Sequence, residues 1–192
     1  FLKNHASLLE SCFESLKNRD NPDQSKRDGL MGYDSSRTVG GGEITTYDSL
    51  DHSLGQARKN IYLGGKCWAS YLALEKLFKL LDKGTLADSA HASALLCANT
   101  LANAFDDDLG FIPAVLEDGN QSAIIPAVEA LIYPHKMGLE EALNPEGEFA
   151  GYISILKKHI SNILKPGICI YEDGGWKLSS SADNSWMSKI FL

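Results

Sequence analysis

The stretch EITTYDSLDHSLGQARKNIYLGG, residues 43–65, places a carboxylate between an extended segment and a long helical pattern. The Thr-Thr-Tyr that precedes the carboxylate favours extended backbone, since β-branched and aromatic residues are enriched in strands. Over residues 49–82 the apolar residues recur at helical spacing, which predicts a helix over that range. Asp48 therefore stands at the start of the predicted helix, where it can cap the helix or take part in chemistry.

The same periodicity predicts helices through most of the chain. Further helices are expected over residues 4–17, 87–105, 121–133 and 147–164 and from residue 184 onward, and a short strand over residues 167–172. The sequence has no internal repeat of the length that helical solenoids use. The pattern predicts an all-α fold.

Three connecting loops are long, glycine-rich and polar, and each precedes a helix that is rich in small residues. They are DSSRTVGGGEITTYD (34–48), DDDLGFIPAVLEDGN (106–120) and EDGGWKLSSSAD (172–183). The intervening helices carry more polar faces, an alternation that the inner and outer helices of a toroid would produce. We therefore expect the three loops at one rim, together with helix N-termini, which favour anionic and hydroxyl ligands.

The side chains that would reach this rim are suited to binding a sugar. Carboxylates accept hydrogen bonds from hydroxyl groups, and indole rings stack on the faces of pyranoses. The residues concerned are Asp48, Glu117, Asp173, Asp183, Trp176 and Trp186.

Composition argues against several other classes of function. The 192 residues include 18 basic and 25 acidic ones, and the basic residues form no run, which argues against a nucleic-acid surface. No apolar run is long enough to span a bilayer. The four cysteines form no CxxC pair and are expected to be buried free thiols. We expect a cytoplasmic homo-oligomer without a metal or a cofactor.

Several candidate site residues have structural alternatives. Asp48 and Asp51 approximate a capping box, and on pattern alone capping is favoured over catalysis for Asp48. Trp176 can stack on a sugar or anchor its loop. Asp183 and Asn184 can contact the sugar or cap the last helix.

Three other features are better explained by structure than by function. Trp68 lies in a helical apolar pattern, so core packing is expected. The acidic run at residues 106–108 lacks the ligand spacing of a calcium loop and predicts a solvated turn. The five histidines are scattered and are expected at surface positions or with their hydrogen bonds satisfied.

Three segments, taken in order, carry a resemblance to a known family: GGGEITTYDSLDHSLGQARKNIYLGGKCWASYLALEK, FDDDLGFIPAVLEDGNQSAIIPAVEALIYP and DGGWKLSSSADNSWMSKIFL. They resemble the later part of the catalytic domain of glycoside hydrolase family 52, the bacterial β-xylosidases. The resemblance implies an (α/α)6 toroid, a retaining mechanism and Asp48 as the general acid/base, which reverses the order of its two explanations. The related family 116 β-glucosidases share a similar Thr-Tyr-Asp, whose Thr, here Thr46, helps to hold the sugar.

The resemblance also implies that part of the machinery is elsewhere. The nucleophile of such enzymes, a Glu in the earlier part of the domain, matches nothing in these residues. We expect a fragment of one catalytic domain without its N-terminal part, inactive alone, with Ile61, Leu72 and Ile125 partly exposed. The expected substrate is a xylo-oligosaccharide; the alternatives are a β-glucosidase of the family 116 type and a noncatalytic helical scaffold.

Overall fold

The computed structural model describes residues 2–33, 58–117 and 119–182. These residues form five α-helices: α1 (Ala6–Asp20), α2 (Ile61–Leu80), α3 (Gly84–Asn103), α4 (Ile132–Lys136) and α5 (Ala150–Ile163). Four 3-10 segments accompany them, Leu2–His5, Gln24–Lys26, Ile125–Leu131 and Glu140–Leu143. Within the described ranges, β-pairing occurs only as isolated bridges. The all-α prediction is confirmed, and the toroid stays a prediction.

Helix α2 is the centre of the described core. It begins after Asn60, whose side-chain Oδ1 accepts a hydrogen bond from the Leu63 amide at 2.9 Å and so caps the helix. α3 runs back along α2, and the side chain of Leu101 on α3 packs directly against Gly64. A β-carbon there would lie 3.0 Å from the side chains of Leu101 and Leu30, so a glycine permits this approach.

Trp68 joins α2 to α5. Its side chain is fully buried, and its ring makes edge-on contacts with Phe149 and Tyr152 at centroid distances of 5.6 and 5.3 Å. Such aromatic pairs add roughly 0.5–1.5 kcal/mol beyond the area that they bury. The predicted core role of Trp68 is confirmed.

Helix α1 packs on α2 through Phe13. The ring of Phe13 packs edge-on against Tyr71 at 6.1 Å and Phe78 at 5.7 Å. The chain after α1 then turns around the buried carboxylate of Asp20, which accepts hydrogen bonds from the amides of Asp28 and Gly29. These contacts bring α1 and the turn after it into the same core as α2 and α3.

The helix predicted over residues 49–82 needs correction at its start. Residues 58–60 are not helical, and Lys59 has a positive φ of 49°. The reason is long-range pairing, because the backbone of Lys59 and Ile61 bonds to residues 114–116 and not along a helix. Residues 49–57, including Asp51, lie outside the described residues.

Two other element predictions are wrong in type. The helix expected over residues 121–133 is extended at Ile124 and continues as the 3-10 segment Ile125–Leu131 and the short α4. Pro126 and Pro134 lack the amide hydrogens that a longer α-helix would use. In place of the strand expected over residues 167–172, residues 167–169 form a turn and Ile170 takes part only in isolated bridges, with Pro166 and Trp176.

The helices expected over residues 4–17, 87–105 and 147–164 are confirmed as α1, α3 and α5, with ends shifted by one to three residues. The helix expected from residue 184 lies outside the described residues. The solvated turn at 106–108 is also present, with Asp106 Oδ1 accepting from the amides of Asp108 and Leu109.

Burial corrects two expectations about the surface. Ile61 and Leu72 are buried in the described core, with exposed fractions of 2% and 4%, because α2 is enclosed by its neighbours. Ile125 is half-buried, as expected. Three of the four cysteines are buried free thiols and Cys12 is exposed, and burial raises the pKa of the Cys67 thiol to about 12. None of the helices in the described ranges is long and apolar enough to cross a membrane.

Candidate functional site

Only some of the predicted site residues fall in the described ranges. Thr46, Asp48, Asp183 and Asn184 lie outside them, as does Trp186. Their predicted roles therefore stay predictions. Glu117, Asp173 and Trp176 are described, and Asp173 is exposed with its Oδ1 accepting from the Gly175 amide. Residues 58–60, which lead into α2, and most of the second and third polar loops are described as well.

These segments meet beside the N-terminus of α2 in what we call the loop junction, residues 59–61, 114–116, 122–125 and 178–180. The junction is built almost entirely from backbone hydrogen bonds. It joins parts of the chain that are far apart in sequence, so its formation depends on the tertiary fold and not on local propensity.

The second loop pairs directly with the start of α2. The Ile61 amide donates to the Ala114 carbonyl and the Leu116 amide donates to the Lys59 carbonyl, both at 3.0 Å. Between them lies Asn60, which is 1% exposed and caps α2. The N-terminus of α2 is thus fixed from both sides, by its cap and by the second loop.

The third loop completes the junction. The Ile125 amide donates to the Leu178 carbonyl at 2.8 Å, and the Ser180 amide donates to the Ala123 carbonyl at 2.9 Å. In return, the Ser180 Oγ accepts from the Ala123 amide at 2.9 Å. The described parts of the second and third loops are therefore linked through residues 122–125, and the second loop pairs with the start of α2. Residues 34–48 lie outside the described ranges.

A buried histidine on α5 contacts this arrangement. His159 on α5 is fully buried; its Nδ1 lies 3.1 Å from the Ile112 amide and its Nε2 lies 2.9 Å from the Ile124 carbonyl. Burial lowers the pKa of His159, and the hydrogen bond to the Ile124 carbonyl opposes that shift. The imidazole ring of His159 therefore contacts the chain on both sides of the junction segment 114–122, at Ile112 before it and at Ile124 after it.

A small cavity of about 330 Å³ opens beside the second loop, and Glu117 and Asn120 contribute polar groups to its lining. Pro113, Val115 and Leu116 supply apolar surface. This volume lies at the lower end of the roughly 300–1,000 Å³ that small-ligand pockets occupy. Asp106 also lines the cavity, so two carboxylates and an amide face its apolar walls, and the Oδ1 of that Asn120 amide accepts from the amides of Val115 and Ser122.

Trp176 lies on the third loop, two residues before the junction. The residue is 39% exposed, while its backbone pairs with Ile170. The neighbouring Lys177 donates to the Ser180 carbonyl at 3.2 Å. The backbone of Trp176 is thus anchored while part of its ring is accessible, so the structure accommodates both the loop-anchor and the stacking interpretation.

A larger cavity of about 590 Å³ lies at the other end of α2. Leu72, Leu139 and Phe149 line it together with Glu75 and His91. At 1.5 Å per residue, Glu75 lies roughly 20 Å along the helix from Ile61. This cavity is therefore remote from the loop junction, and we do not assign the sugar site to it in spite of its size. Among the residues that the structure describes, no cluster of His, Cys, Asp and Glu could hold a metal ion.

Sequence reasoning missed His159 and Asn60. His159 follows Tyr152 and Leu156 and precedes Ile163 at helical spacing, which places it on the buried face of α5. That signal indicates burial but does not identify the partners at residues 112 and 124. Asn60 is a favoured capping residue inside a continuous helical pattern, and only the pairing of residues 59–61 shows that the helix starts there.

Comparison with known proteins gives a clear direction. No family model matches the chain. A β-xylosidase of Geobacillus stearothermophilus is 54% identical over 186 residues, which are 97% of this chain and 26% of that protein. The chain is similar to β-xylosidases. A second β-xylosidase of the same organism is 38% identical over 93 residues, covering 48% of the chain and 15% of that protein. The chain thus spans about a quarter of the length of the first relative.

Proposed function

We propose that this chain carries the general acid/base of a retaining β-xylosidase that removes terminal β-xylosyl residues from xylo-oligosaccharides. The observation that carries the proposal is the 54% identity to a β-xylosidase over 97% of the chain. The quoted TTYDSLD segment supplies the residue, Asp48, and the resemblance to glycoside hydrolase family 52 supplies the role.

The chemistry needs two carboxyl groups on opposite faces of the sugar. In a retaining glycosidase they lie about 5–5.5 Å apart, one attacking the anomeric carbon and the other protonating the leaving oxygen. Asp48 is the proton donor in this proposal, and after the glycosyl-enzyme forms, its carboxylate deprotonates the incoming water. To hold a proton near neutral pH, its pKa must be raised by partial burial and by the neighbouring nucleophile.

The other proposed contacts bind the sugar. Thr46 and the pair Asp183 and Asn184 hydrogen-bond the hydroxyl groups, and Trp176 stacks on a pyranose face. The loop junction supports this assignment, because the third loop, which carries Trp176, pairs with residues 123–125, and the adjoining Ser122 bonds to the segment that pairs with the start of α2. The nucleophile is proposed to lie in the part of the relatives that this chain does not span, so the chain alone should not hydrolyse xylosides.

The test is the variant Asp48→Ala in the whole protein, compared with Asp88→Ala on the exposed side of α3. Xylosides with poor leaving groups should slow by about 10² to 10⁴-fold, because only they require protonation. Aryl xylosides with good leaving groups should form the glycosyl-enzyme almost normally, and added azide should restore turnover by replacing the base-assisted water.

Asp88→Ala should leave both classes of substrate unaffected. An equal loss on all substrates without rescue by azide would remove Asp48 from catalysis and return it to a capping role. The absence of any xylosidase activity in the whole protein would favour the noncatalytic scaffold.

A further inference from the structure

The two ring nitrogens of His159 face backbone groups with fixed hydrogen-bonding roles. The Ile112 amide can only donate, so Nδ1 must accept at 3.1 Å, and the Ile124 carbonyl can only accept, so Nε2 must donate at 2.9 Å. The partners therefore select one neutral tautomer. A second proton would place two N–H groups face to face and bury a charge.

The surroundings of the ring agree with a neutral state. His159 is fully buried, and the ring of Phe111 packs edge-on against it at 6.3 Å. In the described part of the chain, no charged side chain acts on its pKa; burial lowers the pKa and the Ile124 carbonyl raises it. The nearest basic neighbour in sequence, Lys158, instead contacts Asp107 and the ring of Phe105.

The two partners of His159 lie next to or within the loop junction. Ile112 lies two residues before Ala114, whose carbonyl accepts from the first amide of α2 and whose amide donates to the Ser122 carbonyl. Ile124 pairs with Ser179 of the third loop. The side chain of His159 thus links the two segments that contain Ile112 and Ile124. The first of these segments pairs with the start of α2, and the second pairs with the third loop.

We infer that His159 is a positioning residue for the proposed sugar site: in its neutral form it holds the second loop and residues 122–125 in the alignment that places Trp176 and the N-terminus of α2. The inference rests on the proposed function for its catalytic consequence, but its structural part is independent of activity. His159 does not contact the substrate and acts through these loops.

Three variants separate its two hydrogen bonds. In His159→Gln the amide nitrogen can reach the Ile124 carbonyl, and in His159→Asn the amide oxygen can accept from Ile112. His159→Leu retains neither bond. The matched control is His135→Gln, since His135 is 58% exposed on α4 and contacts Glu140.

The first readout is amide hydrogen exchange in this chain. His159→Asn should keep protection at residue 112 and accelerate exchange in residues 123–125 by about tenfold or more. His159→Gln should show the opposite pattern, and amides within α2 and α3 should exchange as in the wild type. In the wild type, acidification below the ordinary histidine pKa of 6.5 should lower the protection factors of both segments, that is, their exchange rates relative to the intrinsic rates at the same pH.

The second readout is steady-state kinetics of the whole protein on an aryl β-xyloside. We expect KM to rise about tenfold in His159→Gln and His159→Asn with a much smaller change in kcat. On acidification the KM of the wild type should rise more than that of the two amide variants, because the variants share its other titrating groups but have no titrating side chain at position 159.

Exchange that accelerates uniformly in all helices, or that stays unchanged in both junction segments, would overturn the positioning role. Unchanged KM in both amide variants with locally accelerated exchange would overturn its link to the sugar site. If the whole protein lacks xylosidase activity, the proposed function fails while the exchange pattern still decides the structural inference. Should His159→Leu not fold, the two amide variants and the wild-type acidification carry the test.

Discussion

The two ends of α2 hold their neighbours by different physical means. At the N-terminal end, the loop junction is formed by backbone hydrogen bonds, and the neutral His159 bonds to it. These groups are largely buried. At the C-terminal end, a charge cluster of Glu75, Lys79, His91 and Glu148 lines the larger cavity and is partly exposed. The first arrangement is insensitive to salt, and the second depends on charge and is screened by salt.

The contrast is sharpest between the two histidines. His91 Nδ1 lies 3.1 Å from Glu75 and its Nε2 lies 3.0 Å from Glu148, so both nitrogens face carboxylates and both must donate. Burial lowers the pKa of His91, but the hydrogen bonds with Glu75 and Glu148 raise it more, and the net shift is upward from 6.5. His159 faces an amide and a carbonyl, and its pKa is shifted downward.

These opposite shifts give opposite pH dependences. The stabilisation from His91 is complete below the unfolded-state pKa of about 6.5 and is lost as pH rises through the raised folded-state pKa. For His159 the folded state resists protonation, so stability falls as pH drops from about 6.5 towards its lowered pKa. Acid therefore weakens the loop junction, and alkali weakens the charge cluster.

The largest effect should come from breaking the junction at Ser180. The Ser180 Oγ accepts from the amide of Ala123, which is fully buried, so Ser180→Ala leaves that amide without a partner. We expect a loss of about 1–3 kcal/mol in the free energy of unfolding, measured by urea denaturation of this chain. The matched control is Ser93→Ala on α3, where the hydroxyl bonds to the Ser89 carbonyl of its own helix, and a change within about 0.5 kcal/mol is expected. Equal effects at the two serines would show that water replaces the Ser180 hydroxyl and that the junction is not closed to solvent.

The same contrast explains which parts of the fold the sequence predicts. Helices α1, α3 and α5 carry apolar stripes at helical spacing, and Trp68 lies on such a stripe, so local pattern was sufficient. The start of α2 was missed because Lys59 and Ile61 bond to residues 114–116, a pairing that no local pattern encodes. The 3-10 segment after Ile124 was missed for the same reason, together with its prolines.

The features of the candidate site likewise divide into those that the sequence predicts and those that depend on the tertiary structure. Asp48 was proposed from a long ordered resemblance, since pattern alone favoured a helix cap. The polar loops were grouped by composition, and the described parts of the second and third both bond to residues 122–125. That all three loops lie at one rim stays a prediction. His159 could be placed on a buried face by its spacing from Tyr152 and Leu156, but its two partners are 35 and 47 residues away in sequence and belong to the tertiary structure.

A smaller effect is expected when the charge cluster is broken at its more buried carboxylate. The side chain of Glu75 is 14% exposed and contacts both His91 and Lys79, and these bonds lower the pKa of Glu75 in spite of its burial. Glu75→Gln should cost about 1 kcal/mol in the free energy of unfolding below pH 6.5. The loss should shrink as pH rises through the pKa of His91, and a pH series of urea denaturation measures it. A loss that grows with pH would mean that His91 is neutral in the folded protein.

The smallest effect should come from Glu148, which contacts the other nitrogen of the same histidine but is 55% exposed. Exposed ion pairs contribute about 0.2–1 kcal/mol, because water and salt screen the charges and two long side chains must be ordered. Glu148→Gln should therefore destabilise the chain less than Glu75→Gln, and about 1 M salt, where the Debye length is roughly 3 Å, should remove most of the difference from wild type. The pKa of His91, followed by NMR titration of its ring protons, should fall in both variants, with the larger fall in Glu75→Gln. An equal fall in the two variants would show that burial does not separate the two carboxylates, and the charge cluster would then act as a solvated surface feature and not as a second anchor of α2.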